Sequence, residues 1–432
     1  MAKPKKFDKL RFFEDCGYQP HAGQLEVHRA TEPRRVVACG VRWGKTYCAA
    51  MEGLAAAMQP AERSVGWVVG PTYDLADRVF REIQVRALEK LPHRIVKMKE
   101  SERLLVIRNM AGGTSEIKAK SAESPVSLLG EGLDWLIIDE ASRLKASTWE
   151  SHLSQRLLDK KGWALLISTP KGKGYFHDLF RRGQGSDPTW RSWNLPSRTN
   201  PMLDRELIEA ERQRLPEQVF QQEYEAKFIE GSGAVFRNVR ECATGAFREP
   251  EDGRRYFAGL DLAKIQDYTV LTILDDKLNV VFVDRFHRID WTIQTQRIKV
   301  ALDRYWHAEV FVDSTGCGDP MLETLRRDGV RAQAYPFSQQ SKSALIDNLV
   351  LMFEQRKIVI PSPQVWPVGI DELENFEYSV TESGSIRAAA AGSGHDDTVM
   401  SLALAAWHRR PRQESTIALT PAILFVNEAW ES

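Results

Sequence analysis

The stretch Val36-Val37-Ala38-Cys39-Gly40-Val41-Arg42-Trp43-Gly44-Lys45-Thr46 limits what this chain can fold into more than any other. An apolar run ends in a glycine-containing loop and Gly-Lys-Thr, and Tyr47 to Met58 follows, rich in Ala, Leu and Met. That order predicts strand, phosphate loop and helix. Backbone N–H groups of such a loop and the positive end of the helix bind a polyphosphate without desolvating a side-chain charge. Lys45 is placed to reach the β- and γ-phosphates, Thr46 to put its hydroxyl on Mg²⁺, and Gly40, Arg42 and Gly44 to line the loop. The strict pattern wants glycine at 39, where Cys39 stands, and an ordinary strand-to-helix turn would look similar.

Further on, Leu136-Ile137-Ile138-Asp139-Glu140 reads as a buried strand ending in two carboxylates. Asp139 would hold Mg²⁺ through water and Glu140 would polarise an attacking water. An acidic helix start is the plainer reading of the same residues. The two segments together predict an ATPase. Gln24, upstream of the loop, is a candidate for the adenine edge, or else a solvated helix-start glutamine. Ser168 and Thr169 end the strand Trp163 to Ser168, where parallel sheets place ligand contacts, although Ser-Thr-Pro-Lys-Gly also makes a plain turn.

At 432 residues the chain is long enough for two or three domains with their own cores. Lys plus Arg and Asp plus Glu both total 59, so net charge neither supports nor excludes a nucleic-acid partner. The five cysteines form no CxxC pair or metal-ligand spacing, which fits reduced thiols and no zinc site. No apolar run reaches the roughly eighteen residues of a membrane span. The expectation is a soluble protein of the cytoplasm, with no membrane partner.

The first half alternates strands (65–69, 104–109, 115–119, 163–168) with helices (74–91, 147–158), which predicts an α/β fold built on a parallel sheet. Residues 1–230 are read as this ATPase domain, with a charged helix over 203–229 as linker or lid. Glu230-Gly231-Ser232-Gly233 opens a flexible linker over 231–250. Residues 251–412 form a second domain. Three strands (256–262, 268–274, 279–286) precede a helix (292–306), a strand (308–313), and then helices and strands in turn. Those continue with 321–328, 330–335, 342–356, 358–360, 368–376, a hairpin over 378–390, and a last helix over 395–408. That order matches ribonuclease-H-like α/β folds. Residues 413–432 are a tail whose Ile423-Leu424-Phe425-Val426 either docks elsewhere or packs back.

Asp261 sits mid-strand among apolar neighbours, Asp313 ends another strand, and Asp396-Asp397 open a helix. An unpaired buried charge costs several kcal/mol, so a cation is implied. Two Mg²⁺ ions about 3.5 to 4 Å apart would neutralise the carboxylates and clamp the attacking and leaving oxygens of a phosphodiester. Mn²⁺ would serve as a substitute. Asp267 and His395 are accessory candidates. Taken singly, Asp313 would cap a turn and Asp396 a helix.

With these motifs in place, the chain resembles the large terminase subunit of tailed bacteriophages. The resemblance rests on Gly40 to Thr46, Ser121 to Glu140, Ile167 to Gly172, Gly259 to Asp261 with Asp267-Tyr268-Thr269, Val312 to Gly316, and Gly394 to Thr398. It implies a P-loop ATPase joined to a ribonuclease-H-like nuclease that packages double-stranded DNA and cuts it. The implied partners are double-stranded DNA, a small terminase subunit, and the portal of a procapsid. A homo-oligomeric ring, usually of five, forms on that portal in the host cytoplasm, and a monomer in solution remains compatible. It assigns Arg42, Lys45 and Thr46 to phosphate and Mg²⁺, Ser168 and Thr169 to coupling, and Asp261, Asp313 and Asp396 or Asp397 to the nuclease metals. Two departures stand out: Val41 replaces one loop arginine, and Leu129 stands where relatives carry a trans-acting arginine. Arg42 in cis, or Arg143 or Arg156 in trans, are the substitutes. A helicase-like repair or restriction motor fused to a nuclease is the alternative, and an inert DNA clamp a third reading.

Overall fold

The computed structural model describes residues 7–123, 125–229, 233–262, 268–313, 318–380, 386–390 and 395–410. Strands β1 (Arg34–Cys39), β2 (Arg63–Gly70), β3 (Ile95–Lys99), β4 (Leu104–Arg108), β5 (Thr114–Ser121), β6 (Trp135–Asp139), β7 (Trp163–Ser168) and β8 (Trp190–Leu195) form one sheet. Its order is β3-β4-β5-β2-β6-β7-β1-β8. From β5 to β8 all pairs are parallel, and β4 and β3 continue antiparallel at the edge. Strands buried on both faces are continuously apolar, as parallel sheets covered by helices require. Alternate residues go to opposite cores: Val37, Ile137 and Leu165 face helix Lys45–Met58, whereas Val36, Ile138 and Leu166 face Trp149, Leu153 and Phe176.

An N-terminal addition is tied to this sheet by a buried charge network. The Glu52 carboxylate, on helix Lys45–Met58, accepts from Arg35 (2.7 Å), from Lys9 (2.9 and 3.2 Å) and from His28 Nδ1 (2.7 Å). Burial keeps His28 below its ordinary range, so the neutral ring donates at Nδ1 and accepts the Tyr18 hydroxyl at Nε2, 3.0 Å away. Burial opposes ionisation of Glu52, but Arg35, His28 and Lys9 outweigh it and hold the carboxyl well below the usual carboxylate range.

Two predicted helices differ. Over 147–158 the chain makes a π-turn (Thr148–Leu153) followed by a 3-10 turn (Ser154–Leu157). Trp149, Leu153 and Leu157 are all buried and four apart, a spacing that an α-helix also places on one face, so the burial pattern alone does not distinguish the wider turn. The charged segment over 203–229 is two helices, Arg205–Arg214 and Glu217–Glu223, because Pro216 pushes the residue before it out of the α region. Edge strands β3 and β8 escaped prediction. Residues 358–360 make only an isolated bridge, Asn279 to Val359.

Five further strands, β10 (Tyr256–Asp261), β11 (Thr269–Asp275), β12 (Val280–Phe286), β13 (Glu309–Asp313) and β14 (Ala332–Tyr335), form a second sheet, preceded in the chain by the short β9 (Gly233–Ala234). The order β12-β11-β10-β13-β14, antiparallel then parallel, is that of the expected ribonuclease-H-like fold. Helix Asp397–Trp407 lies tight against β10 because Gly259 has no side chain. A Cβ there would come within 2.1 Å of Ser401 O, and Ser401 Oγ instead donates to Gly259 O at 2.9 Å. Strands β15 (Phe376–Val380) and β16 (Ile386–Ala390) pair with β9 in a third sheet. The chain divides into two compact units, Met1–Val235 with Phe376–Ala391, and Phe236–Asn375 with Gly392–Ser432. The tail over 413–432 lies outside the described residues.

Replacing Glu52 with Gln leaves Arg35 buried without its counter-charge and is expected to cost about 3–5 kcal/mol at pH 7. The folded-state pKa of Glu52 is depressed, so its contribution is complete above the unfolded glutamate value and shrinks as the pH falls below about 4.3. Chemical denaturation of both proteins from pH 7 to 3 measures this; a gap that stays constant with acidification contradicts it.

Candidate active sites

The loop after β1 is shaped by two residues in the left-handed region, Arg42 (φ 58°) and Gly44 (φ 98°). The glycine at 40, one place later than the strict motif, is explained by crowding. A Cβ on Gly40 would lie 2.3 Å from Ser197 Oγ and 2.6 Å from Tyr224 O, whereas Cys39 still belongs to the strand and is buried. The loop is gripped from behind by the chain following β8. Val41 N donates to Glu223 O (2.7 Å), Ser197 Oγ to Val41 O (2.6 Å), Asn200 Nδ2 to Arg42 O (2.9 Å) and Trp43 Nε1 to Thr199 Oγ1 (3.0 Å). Gln24 is buried against the same loop. Its amide donates to Gly44 O at 3.2 Å and accepts from His21 N at 3.2 Å, so part of its hydrogen-bonding capacity is already spent on backbone.

Strand β7 separates β1 from β6, and the register sets Ala38 beside Ser168 and Asp139 beside Ile167. The carboxyl ends of three adjacent strands therefore meet at the start of helix Lys45–Met58, whose first two residues are Lys45 and Thr46. Lys45 Nζ lies 3.5 Å from Glu140 Oε1, and Arg143 Nε 3.8 Å from Glu140 Oε2. Burial, then the charge of Glu140, pushes the Asp139 carboxyl up to about 6, while Lys45 opposes the shift. For Lys45, burial lowers the pKa, but Cys39, Glu140 and Asp139 outweigh it and the ammonium is held above its usual range. Glu140 itself has φ 49°, a conformation costly for a residue with a side chain and commonest where function demands it. Oxygen donors from Thr46 and Asp139 beside a lysine suit a Mg²⁺-bound polyphosphate.

Ser168 is buried and committed to the turn that follows the acidic pair: its Oγ accepts from Ser142 N (3.2 Å) and lies 2.8 Å from Ser142 Oγ, which donates to Thr169 O (2.9 Å). Ser168 and Thr169 thus stand next to the acidic strand and hold its exit. Lys171, two residues on, forms an ion pair with Glu223, whose backbone also holds Val41. Of the arginines considered as substitutes, Arg143 faces Glu140 of its own chain. Arg156 donates to Gly130 O at 2.7 Å, next to the exposed Leu129.

In the second unit, β10 and β13 run parallel with Leu260 beside Val312, so Asp261 and Asp313 follow side by side at the strand ends. Gly259 lets helix Asp397–Trp407 descend onto β10, which brings its first residue, Asp397, to the same place. Asp261 is buried, and its carboxyl is pushed well above the usual range by burial and then by Asp397, Asp313 and Asp396. Asp397 Oδ2 accepts from Tyr268 N (3.4 Å) and lies 3.7 Å from His395 Nδ1. Asp396 occupies the helix N-cap position yet makes no capping bond. Its Oδ2 accepts from Lys342 Nζ at 3.0 Å, and Glu372 accepts from Thr398 N instead. Four oxygen-donor carboxylates in mutual repulsion fit a hard divalent cation in chemistry. Among the described residues, no three His, Cys, Asp or Glu side chains close to metal-holding distance. Asp267 lies outside the described residues.

Sequence reading missed Ser142, Ser197, Thr199, Asn200, Glu223, Tyr268, Lys342 and Glu372. One signal was available for three of them. Had Trp190–Leu195 been recognised as a strand beside β1, the polar run Ser197-Arg198-Thr199-Asn200 would have fallen at the sheet's carboxyl end. Removing the Asn200 amide should leave Arg42 O unsatisfied and loosen the loop. Asn200→Ala is expected to raise KM for ATP by roughly five- to tenfold at little cost in thermal stability, in line with about 1 kcal/mol for one hydrogen bond. Steady-state ATPase kinetics test this, and an unchanged KM counts against the buttressing role.

A family model for the terminase large subunit, T4likevirus-type, N-terminal, matches residues 37–241, and one for the terminase RNaseH-like domain matches residues 258–408. Large terminase subunits of Thermus virus P23-45 and Thermus phage G20c are each 34% identical across 91% of this chain and 88% of theirs. A solved large terminase from another thermophilic bacteriophage, only 13% identical, shares the fold with a TM-score of 0.59, covering 89% of this chain and 98% of that one. Two sheets, each ending in carboxylates and each matched by its own terminase family model, place this chain in the terminase large-subunit family.

Proposed function

We propose that this chain is an ATP-driven motor for double-stranded DNA that also cuts the DNA it moves, as a large terminase subunit serving viral genome packaging. Two separate acidic sites on one polypeptide, each at the carboxyl end of its own sheet, carry this reading. Residues 1–230 make the ATPase, with a lid over about 200–230, and 251–412 the nuclease, joined by 231–250.

In the ATPase, the loop amides and helix start would hold the polyphosphate, Lys45 would leave Glu140 to meet the β- and γ-oxygens, and Thr46 and Asp139 would hold Mg²⁺. Glu140, freed of the lysine, orients the attacking water. The Ser142–Ser168 contact and the Lys171–Glu223 pair give the site two physical links, one to the next strand and one to the lid. In the nuclease, Asp261, Asp313, Asp397 and Asp396 would hold Mg²⁺ or Mn²⁺, which when bound neutralises the scissile phosphate and activates water. Tyr268 N and His395 orient Asp397.

DNA and packaging machinery are the partners; a small subunit, a portal and a ring of subunits are the specific ones proposed, acting in the host cytoplasm. No described helix is long and apolar enough to cross a membrane. The helicase-like alternative lacks support, since the described residues between 175 and 255 form no second parallel sheet.

Lys45→Ala should abolish ATP hydrolysis, a loss of roughly 10³-fold or more, while leaving metal-dependent nicking of supercoiled plasmid. Asp313→Ala should do the reverse. Retained ATPase in the first variant, or retained nicking in the second, removes that residue from its assigned role.

A further inference from the structure

Lys342 belongs to neither site as the sequence presents it. It lies in the first turn of helix Gln339–Glu354, whose start is closed by the Ser338–Ser341 capping box. A cation in the first turn opposes the helix dipole, so local energetics argue against a lysine there. The compensation is tertiary: Nζ is 3.0 Å from Asp396 Oδ2, with the side chains 27% and 33% exposed. Asp396 in turn forgoes the capping bond that its N-cap position offers, and Glu372 supplies a bond at Thr398 N in its stead. Two residues that each break a local preference are thus joined to each other. The pair sits at the edge of the carboxylate group, and Asp261 feels the positive charge of Lys342 as well as the negative charges of Asp313, Asp396 and Asp397. Asp396 is turned to the lysine where no three of these acidic side chains close on a common point.

We propose that Lys342 is a built-in counter-cation of the nuclease site: it holds Asp396 while no divalent ion is bound, competes with the ion for that carboxylate, and so sets the metal concentration at which the nuclease becomes competent. This rests on the nuclease reading above. It makes Lys342 a positioning residue, acting through Asp396, and gives the chain a chemical means of keeping the cutting site poorly loaded at low metal concentration. What changes on metal binding is which cation faces Asp396.

Calorimetric titration of the full chain with Mn²⁺ tests the idea, with Asp261→Asn titrated in parallel to identify the binding that belongs to this site. K342M and K342Q are expected to bind Mn²⁺ about three- to fivefold more tightly than the unchanged protein, the range for a partly exposed ion pair. K342R, which keeps the charge, should bind like the unchanged protein. The Mn²⁺-induced rise in Tm should follow the same order, which also verifies that each variant is folded. Equal or weaker Mn²⁺ binding by folded K342M and K342Q overturns the proposal. If the unchanged protein has no binding that Asp261→Asn removes, the nuclease reading itself fails.

Discussion

Burying a carboxylate at the end of an apolar strand is unfavourable unless a cation or a set of donors answers it, and this chain does so in two places. Asp139 and Asp261 are both nearly inaccessible, and both have their carboxyls pushed up by burial and by acidic neighbours. Sheets of this kind present strand ends, helix starts and loop amides together at one edge, where cations and phosphates are best received. The same cost is answered by a lysine in each unit: Lys45 beside Glu140 in one, Lys342 beside Asp396 in the other. Where the cost is met permanently, as at Glu52 with Arg35, Lys9 and His28, the result is a structural anchor.

The distinction between anchor and site lies in saturation. Glu52 is enclosed by donors on both oxygens, and its ionised form is strongly preferred. Asp139 has one backbone donor from Glu140 N and a lysine that is shared with Glu140. A carboxylate left short of partners in a buried place retains the capacity to take a metal. The loop after β1 is held by the same kind of pairing: two of its carbonyls, Val41 O and Arg42 O, and its Val41 N–H are satisfied from behind by Ser197, Asn200 and Glu223.

Much of this was legible before any coordinates. The loop after β1, the acidic strand, the parallel character of the first sheet, the ribonuclease-H-like order of the second and the aspartates at its strand ends follow from apolar runs, glycine and charge placement along short stretches. The errors have local causes. A four-residue spacing of Trp149, Leu153 and Leu157 imitates an α-helix, and the charged, helix-favouring residues on either side of Pro216 mask its breaking effect. Edge strand β8, with two tryptophans, Arg191 and two small polar residues, carries no clean alternation, and with it the three polar residues that grip the loop were lost.

Taken alone, the amino-acid sequence determined most element types, the two acidic strand ends and the glycine-containing loop between β1 and the helix after it, because these depend on side-chain period, turn chemistry and motifs within about ten residues of chain. Tertiary structure alone decided which distant groups answer them: Asn200 behind Arg42, Glu223 between Val41 and Lys171, Lys342 against Asp396. Those pairings arise from strand register and helix packing between segments far apart in the chain, and a hydrogen bond leaves no periodic trace in the residues that make it.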